Sequence, residues 1–295
     1  MSEPTPAEAA QDAAFEPITT AIWHETADEQ NPFLAQRCLC AGFDVFEDLL
    51  GKAGWIEYLF LLFRRRQATP AETRLLNDLA VAIANPGPRD HSIQAAMSAA
   101  AGGSTLASCL MAALAVGAGR RNGGREIYDA MLLWQACQKE LSLWEPGLKE
   151  KHYLSYQQQH NGHDFDVWPE MEQAPGFAPH AGACAQPVLS TLAHLAKVAA
   201  SLGMDTHLAW LHGHRETLER AAGLPLAMTG VVAAAFCDLG FDSQEAEILY
   251  LLLRLPGAAA HSIEQHRLGW RDYPFHPHGI KLDMDPQAQS KETES

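Results

Sequence analysis

The sequence lacks a basic stripe, a cysteine framework, a long apolar run and any run of alternating strand residues, and each absence closes off a class of protein. Acids outnumber bases, 36 to 21, for a net charge of -15. No surface built to neutralise a phosphate backbone fits that balance, so a nucleic-acid partner is excluded. The six cysteines are scattered, with no CxxC pair, and read as reduced, structural thiols in a reducing compartment. The opening segment MSEPTPAEAAQDAAFEP is acidic and has no apolar core, so no secretory signal is expected. The longest apolar run, Leu106 to Val116, contains serine and cysteine and is too short to span a bilayer. A glycine-rich turn occurs at residues 119–124, but no Gly-Lys-Ser/Thr follows and the preceding segment reads as helix, which excludes a phosphate loop. These readings predict a soluble, cytoplasmic protein with neither membrane nor nucleic acid as partner.

What the sequence does have is helical periodicity. At 295 residues and 47% hydrophobic content it can bury one large core or two modest ones. Val45, Leu49 and Leu50, then Ile56, Leu59, Phe60, Leu62 and Phe63, recur at steps of three and four. Thr69-Pro70-Ala-Glu72 combines a cap, a first-turn proline and an early acid, and predicts a helix carrying Leu75, Leu76, Leu79 and Ile83, stopped by Asn85-Pro-Gly-Pro88. Asp90 or Ser92 can cap the next helix, and an alanine-rich helix should run from about Thr105 to Ala118. Further helices are expected at 188–202, 206–222, 230–239 and 243–255, the last ended by Pro256-Gly257. Between Trp144 and Gly176 the chain is polar and rich in His and Gln, which reads as a loop or inserted flap; the ends, 1–20 and 283–295, read as disordered. The fold class is all-α.

Several ordered motifs then point to a family. Gly42-Phe-Asp44, Asp48-Leu-Leu-Gly-Lys-Ala53, Leu224-Pro-Leu-Ala-Met-Thr-Gly230, Asp238-Leu-Gly-Phe241 and Arg254-Leu-Pro-Gly257-Ala-Ala-Ala-His261-Ser-Ile-Glu264 follow one another. This series resembles the citrate synthase superfamily, and most of all its short citryl-CoA-lyase-like branch, over residues 34–125 and 175–272. The resemblance implies a two-domain helical fold: a large domain, 21–122 with 250–282, and a smaller mobile domain, 123–249, carrying a polar insertion at 145–175. It also implies a dimer, homomeric or formed with a paralogous subunit, and C–C bond cleavage or formation between an acyl-CoA and a 2-oxo acid. The coenzyme A thioester is then a substrate, with no permanently bound cofactor, and the partners are an acyl-CoA and a small carboxylate. In such chemistry a carboxylate removes the proton next to the thioester, one histidine donates to the enol oxygen and another polarises the ketone.

This chain departs from the family pattern at those positions. The enol histidine of a His-Gly-Gly turn is replaced by Asn122, before Gly123. An amide can donate to an enol oxygen but does not titrate. The carboxylate position holds Thr229, and loss of a general base costs about 10²–10⁴ in rate. The ketone-binding motif becomes Gly176-Phe-Ala-Pro-His180, with His180 displaced by one, and no arginine occurs between Arg125 and Arg215. The closing arginine position falls at Pro274, leaving Arg267 and Arg271 as the nearest carboxylate ligands. His91, in Asp90-His-Ser-Ile-Gln94, keeps its place as a substrate contact, and His261 is a further candidate.

Plainer roles stand beside these. Asn122-Gly123-Gly124 also suits an ordinary interhelix turn, Thr229 a helix cap, His91 cap-region packing and His261 a satisfied, partly buried histidine. Arg64-Arg-Arg66 suits a solvated helix end or a phosphate patch. His160-x-x-His163 with Asp164 and Asp166, or His276-Pro-His278, matches no standard zinc signature, so no metal is assigned. Two functions remain open: a divergent lyase or synthase acting through a thioester enolate, with Asn122, His91, His180 and Thr229 in its site, or a catalytically degenerate relative that binds acyl-CoA or stabilises an active paralogue.

Overall fold

The computed structural model describes residues 20–31, 33–150, 174–179, 181–203 and 205–273. Contacts divide the chain into two compact units, Met1–Leu79 with Asp129–Ala246 and Ala80–Tyr128 with Glu247–Ser295. Phe60 packs edge-on against Phe241 at 5.5 Å, and Phe241 against Phe236 at 5.6 Å, which ties the early chain to residues after 129 within the first unit.

The first unit opens with a small antiparallel sheet that the sequence reading missed. β1 (Trp23–Ala27) pairs with β2 (Ala35–Cys40), and β2 pairs with β3 (Phe43–Asp44). β1 is exposed along its whole length and β2 is buried only at its end, so neither has an inner face to impose alternation. A π-helical turn, Val45–Leu49, follows, capped by Asp44. α1 (Trp55–Arg64) ends where Arg65 turns left-handed at φ 54°. α2 (Pro70–Ile83) opens as predicted: Glu72 N–H donates to Thr69 Oγ1 at 3.2 Å, and Thr69 N–H to Glu72 Oε2 at 2.8 Å.

The later helices are α5 (Gly124–Cys137), α6 (Leu141–Glu150), α7 (Gln186–Ala199), α8 (His207–Ala222) and α9 (Met228–Asp238). α5 begins in the second unit and continues into the first. The start of the polar insertion is therefore helical, because Trp144 is buried against Trp134 at 4.7 Å and Trp210 at 5.7 Å; residues 151–173, with their candidate metal ligands, lie outside the described residues. α9 is buried along both faces from Thr229 to Phe236, the pattern of a central core helix. Its last residue, Asp238, accepts the N–H groups of His207 at 2.6 Å and Leu208 at 3.0 Å, so a carboxylate sits at the positive end of α8.

The second unit contains α3 (His91–Ala101), α4 (Leu106–Gly117) and most of α10 (Ser243–Leu268). Asp90 is the cap of α3 and Thr105 of α4. These two helices pack around Ile93, Ala96, Met97, Ala100, Cys109 and Ala113, together with Ala258 of α10. α10 does not stop at Pro256-Gly257 as expected. Gly257 instead allows a close backbone approach: its N–H donates to Ala84 O at 2.9 Å, and a Cβ there would lie 2.5 Å from that oxygen. Pro256 is exposed, and the helix passes through it.

Candidate active site

The site is best defined at the start of α5. The chain leaves α4 and turns through Gly119 to Asn122, whose φ of 55° is left-handed, a conformation asparagine tolerates better than most residues. Gly123 admits no side chain, since a Cβ would collide with Gly119 O and lie 2.5 Å from Gly117 O. The backbone of Asn122 is held at both ends. Its N–H donates to the buried Glu126 carboxylate at 2.6 Å, and its carbonyl accepts from Tyr250 Oη at 3.0 Å and Arg254 Nη1 at 2.6 Å. The Asn122 residue itself is exposed.

Arg254 joins this turn to a second one. It is 6% exposed, and the other arm of its guanidinium donates to Asp90, the residue immediately before His91. Asp90 Oδ1 meanwhile caps α3 through Ser92 N–H at 3.0 Å. Tyr250 accepts from Arg254 Nη1 at 2.6 Å, and burial pushes its phenol well above the usual tyrosine range. One guanidinium therefore fixes the N-termini of α3 and α5 together, with His91 and Asn122 exposed on either side. A charge buried in so apolar a stretch is stable only when its donors are satisfied, and these are.

The remaining candidates fall elsewhere. His261 bonds Asn85 Oδ1 at 3.1 Å and lies 3.5 Å from Glu264, two turns and roughly 10 Å along α10 from Arg254, which supports its satisfied, partly buried role. Arg267 is exposed in the last turn of α10, roughly 20 Å along the axis from Arg254, and Arg271 packs over Trp270 at 5.6 Å. Arg64 and Arg66 are paired with Glu245 at 2.8 Å and Glu72 at 2.6 Å, so among the described residues only Arg65 of that trio stays clear of an ion pair.

In the first unit, residues 176–178 pair with 225–227. Phe177 bridges Leu226, Ala178 N–H donates to Pro225 O at 2.8 Å, and Ala227 N–H to Gly176 O at 2.9 Å. Gly176, at φ 85°, and Gly230 cross so closely that a Cβ on Gly230 would lie 2.5 Å from Gly176 O. The two motifs flagged in sequence, around 176–180 and 229, are thus neighbours, although His180 and Pro274 lie outside the described residues. Thr229 is 1% exposed in the first turn of α9, and the cap there is Ala227, so a capping role for Thr229 is corrected.

No protein-family profile and no curated protein matches the sequence. Solved structures do. Citryl-CoA lyase from Hydrogenobacter thermophilus superposes with a TM-score of 0.63 at 19% identity, covering 93% of this chain and all of that one. The chain has a citrate synthase-like fold. ATP citrate lyase from Methanothrix soehngenii, solved with citrate and coenzyme A, gives a TM-score of 0.68 at 20% identity over 97% of this chain and 45% of its own. Citrate synthase from Thermoplasma acidophilum, solved with carboxymethyl coenzyme A and oxaloacetate, gives 0.54 at 16% over 81% and 60%.

Within this citrate synthase-like fold, the sequence singles out Asn122 and His91, and Asp90 as a cap, but not what joins the two turns: Arg254, with Tyr250 and Glu126. The signal was present. Arg254 is the one charged residue in an otherwise apolar run from Ile248 to Ala260, and a charge in such a run needs a partner. Among the described residues, no group of three or more His, Cys, Asp or Glu is placed to hold a metal, and no helix is long and apolar enough to cross a membrane.

Proposed function

We propose that this chain binds an acyl-CoA thioester at the Asn122 turn and has given up base-driven C–C bond chemistry. The carrying observation is the contrast between two positions. Asn122 is exposed on a turn whose backbone is fixed from three directions, which is what a preorganised donor to a thioester oxygen requires. Thr229, where a base is needed, is a neutral hydroxyl 1% exposed in a core helix. In this reading the Asn122 amide donates to the thioester oxygen, while His91, on the neighbouring turn, holds the acyl group or a carboxylate partner.

A second reading keeps lyase turnover. The exposed, fixed Asn122 favours it, because retro-cleavage draws on enolate stabilisation and takes its base from the substrate or water. Titration calorimetry with acetyl-CoA, followed by α-proton exchange in deuterated buffer and a citryl-CoA cleavage assay, separates the two. We expect acetyl-CoA to bind, more weakly to Asn122→Ala, with neither exchange nor cleavage. Exchange overturns the loss of a base, and citryl-CoA cleavage establishes the lyase. Absence of any acyl-CoA binding at millimolar ligand overturns both.

A further inference from the structure

We infer that a cavity within the first unit is a binding site for a small aliphatic amino acid, held by its ammonium and carboxylate groups. The cavity has a volume of about 180 Å³ and is lined by the turn at residues 48–53, by α1 and by the connection at 67–68. Its size limits the ligand. Benzene fills an engineered cavity of about 150 Å³, so this one takes a molecule a little larger than benzene and far smaller than a coenzyme A thioester. All of its lining lies in the first unit, whereas Asn122 belongs to the second.

The lining offers both signs of charge over an apolar floor. Leu49 and Leu61 are buried and, with Ala53, suit a short aliphatic side chain. Asp48 and Glu57 each commit one carboxylate oxygen to the backbone: Asp44 N–H donates to Asp48 Oδ2 at 3.0 Å, and Gly54 N–H to Glu57 Oε2 at 2.7 Å. These bonds fix both carboxylates in advance of any ligand. Among the described residues, Asp48 Oδ1, Glu57 Oε1 and the Gln67 carboxamide make no hydrogen bond. Lys52 Nζ donates to Glu47 O at 2.6 Å, which uses one of its three N–H groups, and it forms no ion pair among the described residues. A simple cation would be repelled by Lys52, and a simple anion by both carboxylates. A zwitterion meets its opposite at each: its ammonium donates to Asp48 and Glu57, and its carboxylate accepts from Lys52 and Gln67.

The test is titration calorimetry on the full chain with L-valine, with isobutylamine, which lacks the carboxylate, and with isovalerate, which lacks the ammonium. Valine should bind at millimolar ligand or below, and each analogue about tenfold or more weakly, the cost of one charged hydrogen-bonded group. Asp48→Asn and Lys52→Gln should each weaken valine by about tenfold with an unaltered circular dichroism spectrum, since both residues are exposed. Isobutylamine binding as tightly as valine would make the cavity a cation site, and isovalerate doing so an anion site; either overturns the zwitterion. Absence of valine binding at millimolar ligand, or equal valine affinity in wild type and both variants, overturns the site itself. No probe carries a thioester, so such a failure leaves the acyl-CoA reading standing.

Discussion

Arg254 carries more of the site than any residue that the family pattern singles out. Removing it takes the charged partner from the Asp90 carboxylate and leaves the Asn122 carbonyl on Tyr250 alone, and breaking a buried pair from one side costs about 3–5 kcal/mol. Arg254→Met should therefore lower stability by that order in urea denaturation. Arg254→Lys, which keeps the charge and loses the fork, should lose less. Asn122 behaves oppositely. At φ 55° its backbone suits glycine, so Asn122→Gly should leave the urea midpoint nearly unchanged, whereas Asn122→Val should cost about 1–2 kcal/mol. Pairing Asn122→Gly with acetyl-CoA titration then isolates the amide's part in binding from its part in folding. Thr229 bears on attempts to restore a base. A carboxylate in a 1% exposed position has its pKa raised above the unfolded value, so it is tolerated when neutral and penalised when ionised. Thr229→Asp should lose stability increasingly as pH rises from about 4 to about 8, by a few kcal/mol at the upper end. A loss independent of pH would contradict the burial argument.

At the scale of elements, what the sequence announced was local chemistry. Thr69 with Glu72, and Asp90, cap the helices predicted from them, and Thr105 and Thr206 cap two more at the starts expected for them, because a cap is a contact between residues two or three apart. What it concealed was non-local. Pro256-Gly257 reads as a stop, yet α10 continues, since the glycine serves the backbone of Ala84 and Asn85, which a sequence window around 257 does not contain. The β1–β3 sheet was invisible for a related reason: with no buried face, its side chains carry no alternation. The Asn122 turn was legible through its glycines. Its clamp was not, because Tyr250 and Arg254 arrive from more than a hundred residues away. The α2 cap gives a pH signature. Arg66, with help from Thr69, holds the Glu72 carboxyl down at about 2, and a depressed folded pKa contributes stability that is present above the unfolded value and lost as pH falls toward the folded one. The stability gap between wild type and Glu72→Gln should be open at pH 7 and close between about pH 4.5 and 2, read from denaturant midpoints at each pH.

For the whole molecule, net charge separates the two proposed ligands. A net charge of -15 repels acetyl-CoA, whose phosphates make it a polyanion, and exerts no net force on the charge of a zwitterion such as valine. Distance decides how much that matters. At about 0.01 M ionic strength the Debye length is roughly 30 Å, so acids spread over the surface act on a bound anion; at about 0.1 M it is roughly 10 Å, and they are largely screened. Acetyl-CoA affinity should therefore rise with salt over that range, because the Asn122 amide proposed to meet it is neutral and offers no ionic attraction for salt to erode. Valine affinity should stay nearly flat, since its charges would meet Asp48, Glu57 and Lys52 in contact, well inside the Debye length at both salts. Calorimetry at the two ionic strengths reads both. A fall in acetyl-CoA affinity with salt would contradict a neutral donor as its main contact, and a parallel rise for valine would trace the change to the protein rather than to ligand charge.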